Sequence, residues 1–119
     1  MNPTANAHSV TYLKFLNLAQ AARALPDFPS LDPVEERLLN LFASTWHTDN
    51  KITVLKAMSL STDVSPTTAH RRLKSMRKKG VIALVSDDLD NRIKYVVPTL
   101  LAQHYFAQLG QCLDEAQAA

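Results

Sequence analysis

Apolar residues recur at helical spacing near the start of the chain. Between Ser9 and Leu25, the residues Val10, Leu13 and Leu16 lie on one side of a helix with 3.6 residues per turn. The pattern predicts a first helix over 9–25. We expect residues 1–8, which lack this periodicity, to be a frayed terminus.

A second helix is predicted from Asp32-Pro33, which combines a side-chain cap with proline at the first helical position. Glu35 and Glu36 add carboxylates in the first turn, where the helix dipole favours negative charge. The apolar stripe then fades near His47. The residues expected on its buried side are Val34, Leu38, Leu41, Phe42 and Thr45.

Two shorter helices are predicted next. Lys51-Ile52 indicates a short strand leading to Thr53, which would cap a brief helix through about Leu60. Its expected buried residues are Val54 or Leu55, Met58 and Leu60. Ser65-Pro66 then repeats the cap-and-proline start, and Gly80 supplies the left-handed residue that ends many helices. The resulting helix covers 66–79.

The last third of the chain predicts a hairpin and a helix. Val81–Ser86 and Arg92–Val97 are rich in β-branched and aromatic residues, and the polar turn 87–91 joins them. Thr99 would cap a final helix with an apolar side formed by Leu101, Tyr105, Leu109, Cys112, Leu113 and Ala116. This order of elements predicts a mainly α fold with a small β-hairpin, arranged as a winged helix-turn-helix.

Positive charge is concentrated in the middle of the chain. Eight of the 13 Lys and Arg residues fall between Lys51 and Gly80, where Asp63 is the sole acid, so this segment carries +7. The parts before and after it sum to −2 and −3, which gives the net charge of +2. Such a local field suits a polyanion, and nucleic acid is the commonest one.

The predicted helix 66–79 has an apolar side and a cationic side. Ala69, Leu73 and Met76 form the inward stripe. The slim first turn fits a major groove about 12 Å wide, and an arginine there can bond a guanine edge twice. The predicted DNA-contacting residues are Pro66, Thr67, Thr68, His70 and Arg71 for the groove, with Lys74 and Lys78 for phosphates.

Three further basic residues of this helix are less specific. Arg77 and Lys79 lie near the helix C-terminus, where they fit either favourable interaction with the dipole or DNA contact. Arg72 shares a side with Thr68 and Ser75, so we expect a partly packed stem with its charged tip outside.

The hairpin adds Arg92 and Lys94, which we expect on one strand face near the minor groove. Its tip carries Asp87, Asp88 and Asp90, whose carboxylates are repelled by phosphate. Asp90 and Arg92 lie two residues apart in an extended strand, and we expect them to pair.

From Ser65 to Thr99 the chain resembles the MarR-type winged-helix transcription regulators. Their recognition helix runs S-p-s-T-v-s-R, ends on L-x-x-x-G, and is followed by D-x-R, five residues and L-T. Here the motif reads Ser65-Pro66-Thr67-Thr68-Ala69-His70-Arg71, with Met76 four residues before Gly80. Asp90-Asn91-Arg92 and Pro98-Thr99 follow at the same spacing. Pro98 stands in place of the usual leucine, and Ala102 stands where the family often has glycine.

The resemblance implies a homodimer on double-stranded DNA, with dimerisation helices at both ends of the chain. It divides the chain into an N-terminal dimerisation helix and linker (1–30), a DNA-binding domain (31–98) and a C-terminal dimerisation helix (99–119). The apolar sides of the first and last helices match that role. A small-molecule effector is compatible with the family, but no residue pattern in the chain supports one.

The titratable residues do not indicate an enzyme, and we expect no catalytic residue, metal or cofactor. The four histidines show no i, i+4 pairing with each other or with a glutamate, so a helical zinc site is not expected. The two glycines provide no phosphate-cradling loop. Cys112 is interpreted as a small packed residue on the last helix.

The remaining features bound the compartment and one alternative function. A single cysteine makes no internal disulfide, which favours a reduced, cytoplasmic compartment. No apolar run approaches the roughly 18 residues of a membrane span, so no membrane association is expected. The acidic wing and the short chain motivate the alternative, a winged-helix protein-interaction or replication-assembly module without sequence-specific DNA binding.

Overall fold

The computed structural model describes residues 3–118, and its elements follow the predicted order. The helices are α1 (Pro3–Arg23), α2 (Pro33–His47), α3 (Val54–Ser59), α4 (Pro66–Lys78) and α5 (Leu100–Gln117). The strands are β1 (Ile52–Thr53), β2 (Ile82–Ser86) and β3 (Lys94–Pro98). The chain forms two compact units. The first unit consists of the residues up to Ser30 together with those from Gln103 onward, and the second unit is Leu31–Ala102.

Side-chain caps begin four of these helices at the predicted residues. Asp32 Oδ1 accepts the Glu35 N–H at 2.8 Å, and Glu35 Oε1 accepts the Asp32 N–H at 3.0 Å, which forms a reciprocal capping box. Thr53, Ser65 and Thr99 each accept a backbone N–H from three residues further on. These predictions are confirmed.

The sheet is antiparallel, with strand order β1–β3–β2. Ile82 lies opposite Pro98 and Ser86 opposite Lys94, which makes β2 and β3 the predicted hairpin. The short strand expected at Lys51-Ile52 is β1, which pairs Ile52 with Val96.

The core of the second unit lies between α2, α4 and one face of the sheet. α4 contributes the three residues predicted for its inward stripe, Ala69, Leu73 and Met76, all of them buried. The fully or almost fully buried residues that surround them are Leu38, Leu39, Phe42, Ile52, Val81, Ile82 and Val96. α4 therefore packs against the core through the side that carries these three residues.

The C-terminal end of α4 is closed by a left-handed turn at Gly80, whose φ is +82°. The Gly80 N–H donates to the Arg77 carbonyl at 3.0 Å, and the Val81 N–H donates to the Met76 carbonyl at 3.1 Å. This pair of bonds is the Schellman motif. The Thr99 hydroxyl donates to the Gly80 carbonyl at 2.6 Å and so joins this turn to the start of α5.

In the first unit, α1 and the later turns of α5 share a small core. Phe28 stacks on Tyr105 with ring centroids 4.0 Å apart, and Arg23 Nε donates to the Tyr105 hydroxyl at 2.6 Å. Ala19 is also buried, and Cys112 is packed as expected. Val10 and Leu13 of the predicted stripe are more than half exposed. No helix in the described part of the chain is both long and apolar enough to cross a bilayer.

Three expectations about element boundaries are wrong. α1 begins at Pro3, so 3–8 are helical and not frayed; this stretch forms a regular helix without an apolar stripe. α4 ends at Lys78, with Lys79 as its cap. Arg92 lies in the turn before β3, because the tip is longer than the strand pattern indicates and β3 starts at Lys94.

Two expectations about burial also need correction. In α3 the buried residue is Ala57, while Val54, Met58 and Leu60 are half-buried and Leu55 is 77% exposed, because a six-residue helix turns few side chains fully inward. In α2, Glu35 and Leu39 are buried and Val34 and Leu41 are only half-buried. Glu35 is tolerated inside because its Oε1 accepts hydrogen bonds from the Asp32 backbone N–H and from Lys79.

The buried carboxylate of Glu35 connects α2 to α4. Glu35 Oε1 lies 2.6 Å from Lys79 Nζ, and the Glu35 side chain is 1% exposed. Burial raises the pKa of Glu35, but hydrogen bonds from the Asp32 backbone, Lys79 and Ser75 outweigh burial and hold this pKa below its ordinary value. The ionised form is therefore the one that the fold stabilises.

We predict that replacing Gly80 and Gly110 with alanine has opposite effects. Gly80→Ala forces a side chain into a left-handed backbone and lowers the free energy of unfolding by about 1 kcal/mol. At Gly110, inside α5, an added Cβ meets no atom within 4 Å. Gly110→Ala therefore raises the free energy of unfolding by up to about 1 kcal/mol, because alanine has a higher helix propensity than glycine. Denaturant unfolding measures both, and equal effects would contradict the assigned turn.

We predict that Glu35→Gln removes a pH-dependent part of the stability. A carboxylate whose folded pKa is depressed stabilises the fold above its unfolded pKa of about 4.3, and this contribution is lost as the pH falls through the folded pKa. At pH 7 the free energy of unfolding of the variant is lower than that of the parent by about 1–3 kcal/mol. This deficit shrinks below about pH 4. Glu115→Gln, at an exposed position of α5, is the control. A deficit independent of pH would refute the ion pair.

Candidate nucleic-acid interface

The surface of α4 that faces away from the core is an uninterrupted polar stripe. Thr67, His70, Arg71, Lys74, Arg77 and Lys78 are all exposed. Their spacing of i, i+3, i+4, i+7, i+10 and i+11 keeps them on one side of the helix. The predicted inward residues occupy the opposite side, so α4 is amphipathic with a cationic outer face.

Two of the basic residues belong to the fold instead. Arg72 Nη1 lies 3.0 Å from Asp32 Oδ2, and Lys79 bonds Glu35 as described above. Both acids lie in the capping box of α2, so the pairs fasten α4 to the start of α2. Arg72 is partly packed as expected, since its side chain is 35% exposed, but its Nε is buried and its Nη1 pairs with Asp32, so the expectation of a charged tip outside is met only in part.

A groove runs between α4 and β2. Lys74, Arg77 and Lys78 line it together with Ile82 and Ala83. Arg77, for which the sequence left two interpretations open, therefore shares a surface with the two lysines predicted to reach phosphates. Three cations along one groove provide a favourable electrostatic environment for successive phosphates.

The first turn of α4 is open at two of its three predicted residues. Pro66 and Thr67 are exposed, while Thr68 is half-buried and its hydroxyl accepts a bond from the Ser65 hydroxyl at 3.0 Å. Thr68 thus takes part in the cap that starts the helix.

The wing turn is ordered by its own carboxylates. Asp90 binds the Arg92 guanidinium through two bonds of 3.0 Å, and the Arg92 side chain remains 91% exposed. The expected pairing is confirmed, although it forms within a turn and not along a strand. The hydrogen bonds from Arg92 lower the pKa of Asp90, so this pair stays ionised near neutral pH.

The second carboxylate of the turn holds the base of the wing. Asp87 accepts the Tyr95 hydroxyl at 2.7 Å and the N–H groups of Leu89 and Asp90 at 3.0 Å. The bond from Tyr95 is the largest cause that lowers the pKa of Asp87. Lys94 donates to Ser86 across the hairpin at 2.6 Å and lines the same recess as Arg92, beside α3.

Sequence reasoning missed the burial of Glu35 and the placement of Lys51. Lys51 Nζ lies 5.1 Å from the centre of the Tyr95 ring. One sequence signal for Glu35 was present: a glutamate three residues after the cap is the second half of a capping box. Its partner Lys79 is 44 residues away, and no local pattern indicates that pairing.

In the described part of the chain, no group of three or more His, Cys, Asp or Glu side chains is arranged to hold a metal ion. The cationic face of α4 and the exposed Arg92 and Lys94 of the hairpin carry positive charge that suits a polyanion.

Comparisons with known proteins agree with this architecture. No protein-family model and no curated protein matches the chain. Among solved structures, the heme sensor protein PefR from Streptococcus agalactiae is 24% identical, with 96% of this chain and 75% of that chain covered and a TM-score of 0.55. Transcriptional regulator Tm0710 from Thermotoga maritima is 10% identical, with 94% and 70% covered and a TM-score of 0.60. S. aureus MepR, solved as a mutant, is 15% identical, with 97% and 78% covered and a TM-score of 0.57. The chain therefore has the winged helix-turn-helix fold of MarR-type transcriptional regulators.

Proposed function

We propose that this protein is a transcription regulator that binds double-stranded DNA in a sequence-specific way, with α4 in the major groove. The observation that carries the proposal is the exposed stripe on α4, which runs the length of the helix opposite its buried face. A helix of this kind presents short polar side chains first and cations further along. That order matches base edges near the helix start and phosphates beyond it.

The residues divide into two roles along the helix. Thr67, His70 and Arg71 lie in the first two turns and face the bases, and Arg71 donates a bidentate pair to guanine. Lys74 and Lys78 contact phosphates, and Arg77 joins them because all three line one groove. Pro66 and Thr68 shape the first turn, which lies closest to the floor of the groove.

The wing gives a second contact, at or over the minor groove. Arg92 extends from the turn at 91% exposure, with its guanidinium oriented by Asp90. Lys94 is exposed on the same hairpin. An oriented arginine fits a narrow minor groove, where the negative potential is strongest.

We infer that the protein acts as a homodimer on a pseudo-palindromic site. The first unit leaves large apolar side chains exposed on two helices: Val10, Tyr12 and Leu13 on α1, and Leu113 on α5. A second copy provides the natural cover for such side chains. DNA as the ligand also favours a cytoplasmic location and a regulatory role without catalysis.

We predict that Arg71→Ala weakens binding to the operator by about 1–3 kcal/mol, which is roughly 5- to 150-fold, and relaxes base preference at one position per half-site. The operator is first obtained by selecting bound duplexes from a random pool, and affinity is then measured by fluorescence anisotropy. Arg37→Ala removes an equal charge from an exposed position of α2 and serves as the matched control. Lys78→Ala weakens binding to all duplexes by the same factor. It also reduces the slope of log K against log salt concentration by about one.

Two outcomes would refute this assignment. One is an Arg71→Ala protein that keeps the affinity and base preference of the parent. The other is a loss in Arg37→Ala as large as that in Arg71→Ala, which would mean that net charge alone drives binding.

We predict that the parent sediments at twice the mass of one chain and that Leu13→Glu shifts it to the monomer. A charge placed on the exposed apolar side of α1 would be buried without a partner in the dimer. Leu89→Glu makes the same change at the wing tip, where the leucine is 97% exposed, and leaves the dimer intact. Sedimentation velocity distinguishes these outcomes, and a monomeric parent would contradict the dimer.

A further inference from the structure

A cavity of about 320 Å³ lies within the second unit, away from the exposed face of α4. Its walls come from the end of α2, the segment leading into β1, and the β2–β3 hairpin near the wing turn. The lining residues that determine its chemistry are Trp46, Asp49, Lys51, Asp87, Asp88 and Tyr95. This volume is at the lower end of the range for small-molecule sites.

Two aromatic rings are fixed in the walls. Trp46 Nε1 donates to the Val96 carbonyl at 3.0 Å, and its ring packs against Phe42 at a centroid distance of 5.9 Å. The hydroxyl of Tyr95 is held by Asp87. Both rings are half-buried and bonded at their polar ends. The cavity therefore offers preformed apolar surfaces whose order does not depend on a ligand.

The charge around the cavity is negative. Asp49, Asp87 and Asp88 stand against one cation, Lys51, which leaves a formal charge of −2. The pKa of Tyr95 is raised, first by its hydrogen bond to Asp87 and then by burial and the charges of Asp87 and Asp88. The phenol thus stays neutral and does not change the formal charge around the cavity.

The chain itself shows that this environment accepts a cation on an aromatic ring. The ammonium of Lys51 lies over the ring of Tyr95, and its charge also helps to lower the pKa of Asp87. An ammonium, pyridinium or similar group gains the same attraction to a ring face.

We propose that this cavity binds a small aromatic cation of one or two rings. The flat body lies against Trp46, since the Lys51 ammonium already covers the Tyr95 ring, and the positive group is directed to Asp49 and Asp88. Such a ligand bridges α2 and the wing turn within one unit. None of its residues belongs to the surface of α4, and although Asp87 and Asp88 lie in the wing turn, the proposal does not rest on DNA binding because its test uses no DNA.

The test is an NMR titration of the full chain with N-methylquinolinium, followed at the indole N–H of Trp46. The chain has one tryptophan, so this resonance is unambiguous. We expect a saturable shift with a dissociation constant near or below about 1 mM, as befits a ligand of so few atoms. Naphthalene-2-sulfonate, a two-ring anion, is expected to give no saturable shift at the same concentrations.

Three Asp→Asn variants distinguish binding in the cavity from general electrostatic attraction to the protein. Asp88→Asn and Asp49→Asn are each expected to weaken binding of N-methylquinolinium roughly three- to tenfold. Asn tolerates the left-handed backbone of residue 49, where φ is +60°, so that variant keeps the fold. Asp63→Asn makes the same charge change at an exposed position outside the cavity and leaves the affinity unchanged.

Three results would overturn the proposal. They are the absence of saturation with the cation, an equal response to the anion, and a loss in Asp63→Asn that matches the loss in the two cavity variants. Dispersed amide spectra for each variant show that the fold is intact, so a weakened response in Asp88→Asn or Asp49→Asn reports the loss of the carboxylate.

Discussion

The burial of one side of α4 is the constraint on which the other features depend. Ala69, Leu73 and Met76 fix the rotation of the helix about its own axis, since they fill the core beneath it. That rotation decides which side chains point outward. A shift of one position would turn His70 or Lys74 into the core, where a charged group without a partner is strongly unfavourable. The cationic face is thus specified by the packing of the apolar face.

The basic segment serves two purposes that its sequence does not separate. Arg72 and Lys79 bond the acids of the capping box of α2, and they hold α4 against its neighbour. Arg71, Lys74, Arg77 and Lys78 remain on the exposed face. A charge count over the segment therefore overstates the field available to a ligand. The same pairs reduce the repulsion that eight cations in 30 residues would otherwise create.

Local signals predicted most of the fold, because caps, proline starts and the glycine turn act over three or four residues. Asp32, Thr53, Ser65 and Gly80 each mark a boundary that the structure confirms. One error arises where a distant residue decides: Glu35 is buried next to Lys79, which reaches it from the far end of α4. Another is local, since the Asp90–Arg92 pair forms within the turn and the strand starts only at Lys94. The DNA contacts predicted for α4 and the hairpin remain predictions, which the affinity measurements on Arg71→Ala and Lys78→Ala test.

The wing turn has a further consequence for selectivity. Residues 87–92 hold three carboxylates and one guanidinium, so the tip has the same sign as a nucleic-acid backbone. Repulsion of that kind is indifferent to base sequence, and it disfavours every stretch of duplex by the same amount. In the proposed DNA complex, only the phosphate contacts of α4 offset this repulsion where the preferred bases are absent, and we expect the lifetime of such encounters to be shorter than with a neutral tip. An acidic tip would thus help the protein to leave the wrong sites quickly and to spend more of its time searching.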